Sequence, residues 1–187
     1  MVNCKAIGTC VTGGLATGVH TFAFTNGIPD DTCIQYEGTD SKETCKAIDF
    51  CQDCKKPIPA FNETGRDRCF AVSNYRKYYA KEYGVIVGAK AMKNEIYKRG
   101  PVVCGMVVTD KFIDTYTGGI YEEKLPLQII NHFVSVVGWG TSELGTEYWI
   151  VRNSWGNYWG DAGFFNIKIG SDNLFIEADC SWSVPDL

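Results

Sequence analysis

A chain of 187 residues with a formal net charge of −4, 45% hydrophobic and 21% charged, carries enough apolar side chain for one large domain or two small lobes sharing a core. That balance excludes a disordered chain, and mild acidity without a basic stripe argues against a nucleic-acid partner. Nine cysteines fit an oxidising compartment, and the odd number points to a thiol or to a partner elsewhere for one of them.

Residues 1–75 are rich in cysteine and loop-forming residues. Met1-Val2-Asn3-Cys4 has neither the basic start nor the apolar core of a secretory leader. Residues 15–25 are predicted to form a short helix closed by Gly27, because glycine takes the left-handed conformation after a helix at little cost. Ile28-Pro29-Asp30-Asp31-Thr32-Cys33 reads as an extended exit into a cross-linked region. Lys55-Lys56-Pro57-Ile58-Pro59 reads as an exposed loop. Asn62 heads an Asn-Glu-Thr sequon, which in such a loop is either glycosylated or unused.

Residues 76–187 change character. Ala89, Met92, Ile96 and Tyr97 recur at helical spacing, and Gly100-Pro101 stops that helix. Strands are predicted over 102–108, 133–137, 147–152 and 163–169, joined by glycine-rich turns. Strands so close in sequence suggest an antiparallel sheet or partial barrel. The stretch 125–142 carries no Asp, Glu, Lys or Arg after Leu125, yet Gln128, Asn131, His132 and two glycines interrupt it. It reads as buried strand, not as a membrane span.

The chemistry-bearing residues sit in this second part. Asn131-His132-Phe133 opens an apolar run, and Asn153-Ser154-Trp155-Gly156 follows about two dozen residues later. A thiol peptidase needs a base that holds its cysteine as thiolate and later protonates the leaving amine. Histidine suits that work because its ordinary pKa lies near working pH. A third group must fix the imidazole, and the Asn153 side-chain oxygen can accept its ring N–H. Trp155 would shield that hydrogen bond from water. A lone histidine at a strand start would be read as structural; the Asn-Ser-Trp-Gly turn argues otherwise for His132. His20, in the predicted first helix with no partner motif, reads as structural. A rival constellation is Cys51-Gln52-Asp53-Cys54, a knuckle with Cys45 and Cys69 as further zinc ligands. It lacks a second Cys-x2-Cys or a His pair, so disulfides are the favoured use of these cysteines.

The runs Tyr97-Lys98-Arg99-Gly100-Pro101, Tyr116-Thr117-Gly118-Gly119-Ile120-Tyr121, Ile130-Asn131-His132, Gly138-Trp139-Gly140, residues 145–156 and Tyr158-Trp159-Gly160, with Gly27-Ile28-Pro29-Asp30-Asp31-Thr32-Cys33 upstream, resemble the papain (C1) family of cysteine peptidases. The resemblance covers essentially the whole chain. It implies an α+β, two-lobe fold, with residues 1–75 as the remainder of a helical, disulfide-rich lobe. Residues 76–187 would form mainly the β-rich lobe, a partial antiparallel barrel. It implies His132 as base and acid and Asn153 as orienter, with Gly13, Gly14, Asn131 and Trp155 at the substrate. It implies the pairs Cys4–Cys45, Cys33–Cys51, Cys54–Cys69 and Cys104–Cys180. Cys10 would then bridge to a cysteine of the nucleophile-bearing segment.

The resemblance further implies a peptide or protein substrate, no cofactor and no metal, neither nucleic acid nor membrane as partner, a monomer, and a lysosomal or extracellular location. The family's Cys-Gly-Ser-Cys-Trp nucleophile segment, its oxyanion glutamine and the histidine-bearing loop of its carboxypeptidase branch have no counterpart in residues 1–187. The expectation is therefore the C-terminal part of a longer secreted precursor, inactive by itself. The competing expectation is a secreted pseudo-peptidase that binds peptides or partners through the surviving cleft.

Overall fold

The structure, a computed structural model, describes residues 8–36, 45–55, 69–126, 129–170 and 173–186. They fall into two compact units, Met1–Glu82 with Pro185–Leu187, and Tyr83–Val184.

The first unit is built from short pieces. Strands β1 (Gly8–Thr9) and β2 (Gly13–Gly14) pair antiparallel, with Gly8 opposite Gly14 and Thr9 opposite Gly13. The Thr9 hydroxyl shapes the turn between them by accepting from the Val11 and Thr12 N–H groups. Helix α1 (Ala16–Asn26) begins one residue later than predicted, because Leu15 is extended and offers no side-chain cap. It ends as expected at Gly27, whose φ of 69° is left-handed and whose N–H donates to the Ala23 carbonyl at 3.1 Å. A β-carbon at Gly27 would also stand 2.9 Å from the Tyr79 ring. Helix α1 carries no charged residue and buries His20 and Ala23.

A single 3-10 turn (Ala47–Asp49) leads to the antiparallel pair β3 (Gln52–Cys54) and β4 (Cys69–Ala71), neither of which has a periodicity long enough to read from sequence. Cys54 and Cys69 face each other in that register and are bridged, and a second disulfide joins Cys33 to Cys51. Cys45 is also disulfide-bonded. These bonds consume the thiols that the zinc knuckle would need. Cys4 and the sequon residue Asn62 lie outside the described residues.

The second unit is a sheet with two helices. In chain order come β5 (Tyr79–Ile86), which enters this unit at Tyr83, α2 (Ala89–Arg99), β6 (Val102–Met106), α3 (Asp110–Thr115), β7 (Ile120–Tyr121), β8 (His132–Thr141), β9 (Glu147–Arg152), β10 (Phe164–Lys168) and β11 (Cys180–Asp186). The sheet order is β5-β11-β6-β8-β9-β10-β7. Helix α2 and strand β9 occupy the residues predicted for them. Three expectations need correction. Strand β8 is ten residues long where 133–137 was expected, because a bulge between Val136 and Gly138 lets the ladder continue through two glycines that read as a turn. Strand β6 stops at Met106, because the Val108 backbone bonds a side chain instead of a strand. And the sheet is not wholly antiparallel, since β7 runs parallel to β10.

Across this sheet the inward residues form one apolar core that includes Met92, Val102, Met106, Phe112, Val136, Trp149, Val151, Phe165 and Ile167. Each fully buried aliphatic, Met or Phe side chain contributes about 1.5–3 kcal/mol. Cys104 and Cys180, directly opposed on β6 and β11, are bridged inside that core. Buried Glu95 is satisfied by two hydrogen bonds from Arg99, whose guanidinium lies 3.9 Å from the centre of the Trp182 ring.

Candidate active site

The site is assembled at the start of β8 and on the turn that follows β9. Asn131 fixes the first of these. Its Oδ1 accepts from Val108 N–H at 2.7 Å, its Nδ2 donates to Val108 O at 3.0 Å, and its own N–H donates to Met106 O at 3.1 Å. The carboxamide thus imitates one rung of a ladder and holds the residue before His132 against the end of β6. Met106 then stands opposite His132 in the β6–β8 register.

Asn153 follows β9, 9% exposed, with its N–H donating to Gly163 O at 2.9 Å. Its Oδ1 lies 2.9 Å from His132 Nε2 and 2.8 Å from the Ser154 N–H. The second bond decides the first. A backbone N–H can only donate, so the atom facing it is the amide oxygen, and His132 Nε2–H must donate to that same oxygen. The Asn153 Nδ2 is buried without a hydrogen-bond partner among the described residues. With Nε2 carrying the proton, Nδ1 holds the lone pair of the neutral ring and has no hydrogen bond to the described residues. The arrangement can therefore take up a proton at Nδ1 while the ring is held from behind.

Trp155 packs on the imidazole of this pair. Its ring stacks on the imidazole at a centroid distance of 5.0 Å and an interplanar angle of 30°. Behind it lies an aromatic cluster that sequence reasoning missed as part of the site: Trp159 edge-on to Trp155 at 4.7 Å, then Tyr116, Phe112 and Phe165. Its one sequence signal was the density of rings between 112 and 165. A part-buried polar network adjoins it. The Tyr121 hydroxyl donates to Glu123 Oε2 at 2.5 Å, and the Thr109 hydroxyl donates to the same oxygen at 2.9 Å. Thr109 also caps α3 by accepting from Phe112 N–H. Burial, then the adjoining Glu123, pushes the Tyr121 phenol well up from its ordinary value, so it remains a donor.

Of the residues singled out from sequence, the fold brings His132, Asn153 and Trp155 together, and Asn131 immediately precedes His132 in the chain. The Asn131 carboxamide is engaged at both ends with backbone. Gly13 and Gly14 lie in the other unit, exposed on β2, and Cys10 is exposed on the turn that precedes them. Among the described residues no group of three or more His, Cys, Asp or Glu is placed to hold a metal ion, and no helix is long and apolar enough to cross a membrane.

The chain and its fold have counterparts among known proteins. Residues 1–184 match the family described as papain family cysteine protease, and the chain belongs to that family. It is 40% identical over 193 residues to cathepsin Z of Onchocerca volvulus, a match covering 99% of this chain and 58% of that protein. It is 43% identical over 101 residues to cathepsin B-like cysteine proteinase 1 of Ostertagia ostertagi, covering 54% of this chain and 29% of that one. Among solved structures, procathepsin B S9 of Trypanosoma congolense superposes with a TM-score of 0.71 at 26% identity, over 93% of this chain and 54% of that one. Procathepsin L2 from the larval midgut of Tenebrio molitor gives 0.69 at 25% identity, over 100% and 51%. The chain thus spans little more than half of the longer proteins it resembles from end to end.

Proposed function

We propose that this chain carries the base-and-orienter half of a cysteine-peptidase site and serves proteolysis of the cathepsin X (cathepsin Z) carboxypeptidase kind, its thiol nucleophile coming from outside residues 1–187. The observation that carries the reading is the 2.9 Å bond from His132 Nε2 to Asn153 Oδ1 beneath the stacked Trp155. The 40% identity to a cathepsin Z across nearly the whole chain supports the carboxypeptidase kind.

The steps follow from which nitrogen is engaged. Nδ1 takes the thiol proton, giving a thiolate–imidazolium pair. The thiolate attacks the peptide carbonyl carbon, and the imidazolium returns its proton to the leaving amine as the C–N bond breaks. Nδ1 then takes a proton from water as the oxygen attacks the thioester, and the thiol leaves with that proton. Asn153 accepts from Nε2–H throughout and transfers nothing, so it keeps the ring in place between the two half-reactions. Trp155 keeps water off the His–Asn bond. Gly13 and Gly14 present backbone without side chains and suit pairing with an extended peptide, while Asn131 serves the site by holding the backbone at His132. A location in the lysosome or outside the cell fits the disulfides, three of them between described cysteines and a further one at Cys45, and the protein acts as a monomer.

The test is to join residues 1–187 to the nucleophile-bearing segment of a cathepsin Z and compare three forms on a peptide with a free C-terminal carboxylate. His132→Ala should lower kcat/KM about 100-fold or more, the range of a lost general base. Asn153→Ala should cost less. A His132→Ala form with near-parental turnover would sink the assignment of His132. Joined protein that binds peptide but never cleaves it would favour the pseudo-peptidase instead.

A further inference from the structure

Trp155 is held in turn by Trp159, which meets it edge-on at 83°. No hydrogen bond from the described residues fixes the Trp159 ring, whose Nε1 is buried without an acceptor among them, although its backbone is bonded to Gly156 and Gly163. The ring stacked on Trp159 is anchored. Tyr116 lies 5.6 Å from Trp159 at 30°, donates its hydroxyl proton to Gly119 O at 3.0 Å, and accepts from Asn166 N–H at 3.0 Å. One bond ties the ring to the loop before β7 and the other ties it to β10. Left-handed Gly160 lets the Trp159 turn lie close, since a β-carbon there would come within 3.4 Å of the Tyr116 ring and 2.5 Å of Phe164 O. The other rings do not share this combination. Phe112 touches Trp155 and Trp159 but has no polar atom, and Tyr121 is pinned by Glu123 but packs on Phe112 and Tyr116.

We propose that Tyr116 is a positioning residue for the His132 imidazole, acting through Trp159 and Trp155. Two hydrogen bonds set the tilt of the Tyr116 ring, stacking passes that tilt to Trp159, the edge-on contact passes it to Trp155, and stacking sets the plane of the imidazole. The consequence for turnover rests on the reading of His132 as base; the consequence for ring geometry does not.

The test uses Tyr116→Phe in the 187-residue chain, which keeps the ring and removes both hydroxyl bonds. The two imidazoles are followed by proton NMR and assigned with His20→Gln. The His132 Hε1 and Hδ2 lines, lying over the Trp155 face, should shift, and the control Ile176→Val, buried in the same unit but outside the relay, should leave them in place. In the joined, active protein Tyr116→Phe should lower kcat several-fold with KM unchanged. If the His132 lines stay at the parental positions while the Asn166 amide exchanges faster, the hydroxyl bond has been lost without consequence and the proposal fails. If Tyr116→Phe does not fold, Trp159→Phe breaks the next link and should move the same lines; unmoved lines overturn the proposal equally. Lines that move while His132→Ala keeps its turnover would leave the relay standing and remove only its catalytic meaning.

Discussion

The two units reach order by different means. In the first, the buried apolar residues among those described are small, Ala23, Cys33, Cys51 and Ala80, and α1 leaves Val19 and Phe24 exposed. Two disulfides between described cysteines cross-link it over separations of 18 and 15 residues, and Cys45 is disulfide-bonded as well. In the second, the whole core cluster lies between Met92 and Cys180, and its one disulfide, across 76 residues, is sealed inside it. Where little apolar surface can be buried, removing unfolded-chain entropy does the stabilising, about 3 kcal/mol for a loop of some 15 residues. Where a dense core exists, packing does more than stabilise. It can fix the plane of a ring, and this is where His132, Asn153 and Trp155 sit.

The contrast is tested most severely at Trp149, which is 0% exposed and donates its indole N–H to Glu177 Oε1 at 3.0 Å. Trp149→Ala should cost the second unit about 3–5 kcal/mol, the range for removing a buried aromatic. All the tryptophans lie between residues 139 and 182, so their fluorescence in a denaturant melt reports this unit alone. A loss below about 1 kcal/mol would mean that the site is not held by a close-packed core.

A smaller effect sharpens the comparison from the covalent side. Cys54 is exposed, Cys33 and Cys51 are buried at 8% and 4% exposure, and Cys104 and Cys180 are at 0% and 1%. Graded reduction of the native protein, followed by alkylation and peptide mapping, should label Cys54 and Cys69 first, Cys33 and Cys51 next, and Cys104 and Cys180 only on unfolding. Early labelling of Cys104 would show that the core admits solvent and that the division drawn between the units is wrong.

The same division explains what sequence revealed. Helix α2 and strand β9 were readable because their apolar spacing is unbroken. The His132–Asn153 pair was readable because a turn of fixed composition follows a strand at fixed distance. Strand β5 was hidden because Lys81, Glu82 and Gly84 interrupt any alternation, and Gly84 is needed where a β-carbon would stand 2.9 Å from the Trp182 ring. Helix α3 was hidden by its six residues, too short for a period, though Thr109 was a visible cap. The parallel pairing of β7 with β10 is set by tertiary closure, for which a two-residue strand carries no local signal. The role of Tyr116 has no local signal for a related reason. Its hydroxyl partners, Gly119 O and Asn166 N, are backbone groups, and one of them is 50 residues away.

The weakest expected effect is a pH dependence confined to the first unit. His20 is buried on α1, and burial holds its imidazole below the ordinary value of about 6.5 by disfavouring the charged form. The folded pKa is therefore the lower one. Above about pH 6.5 the group is neutral in both states and contributes no slope. As pH falls from there toward the folded value, the unfolded chain takes up a proton that the folded chain refuses, and stability falls. Below the folded value both states are protonated and the loss is constant. Asp30 does not confuse the reading. The Thr32 hydroxyl, then the Thr32 N–H, hold its carboxyl below the usual carboxylate range, so its own loss comes at lower pH. Hydrogen exchange at the α1 amides, corrected for intrinsic rates, should show lower protection at about pH 5 than at about pH 7, and His20→Gln should remove most of that difference. An equal difference in both proteins would mean that the burial of His20 is not what couples this helix to pH.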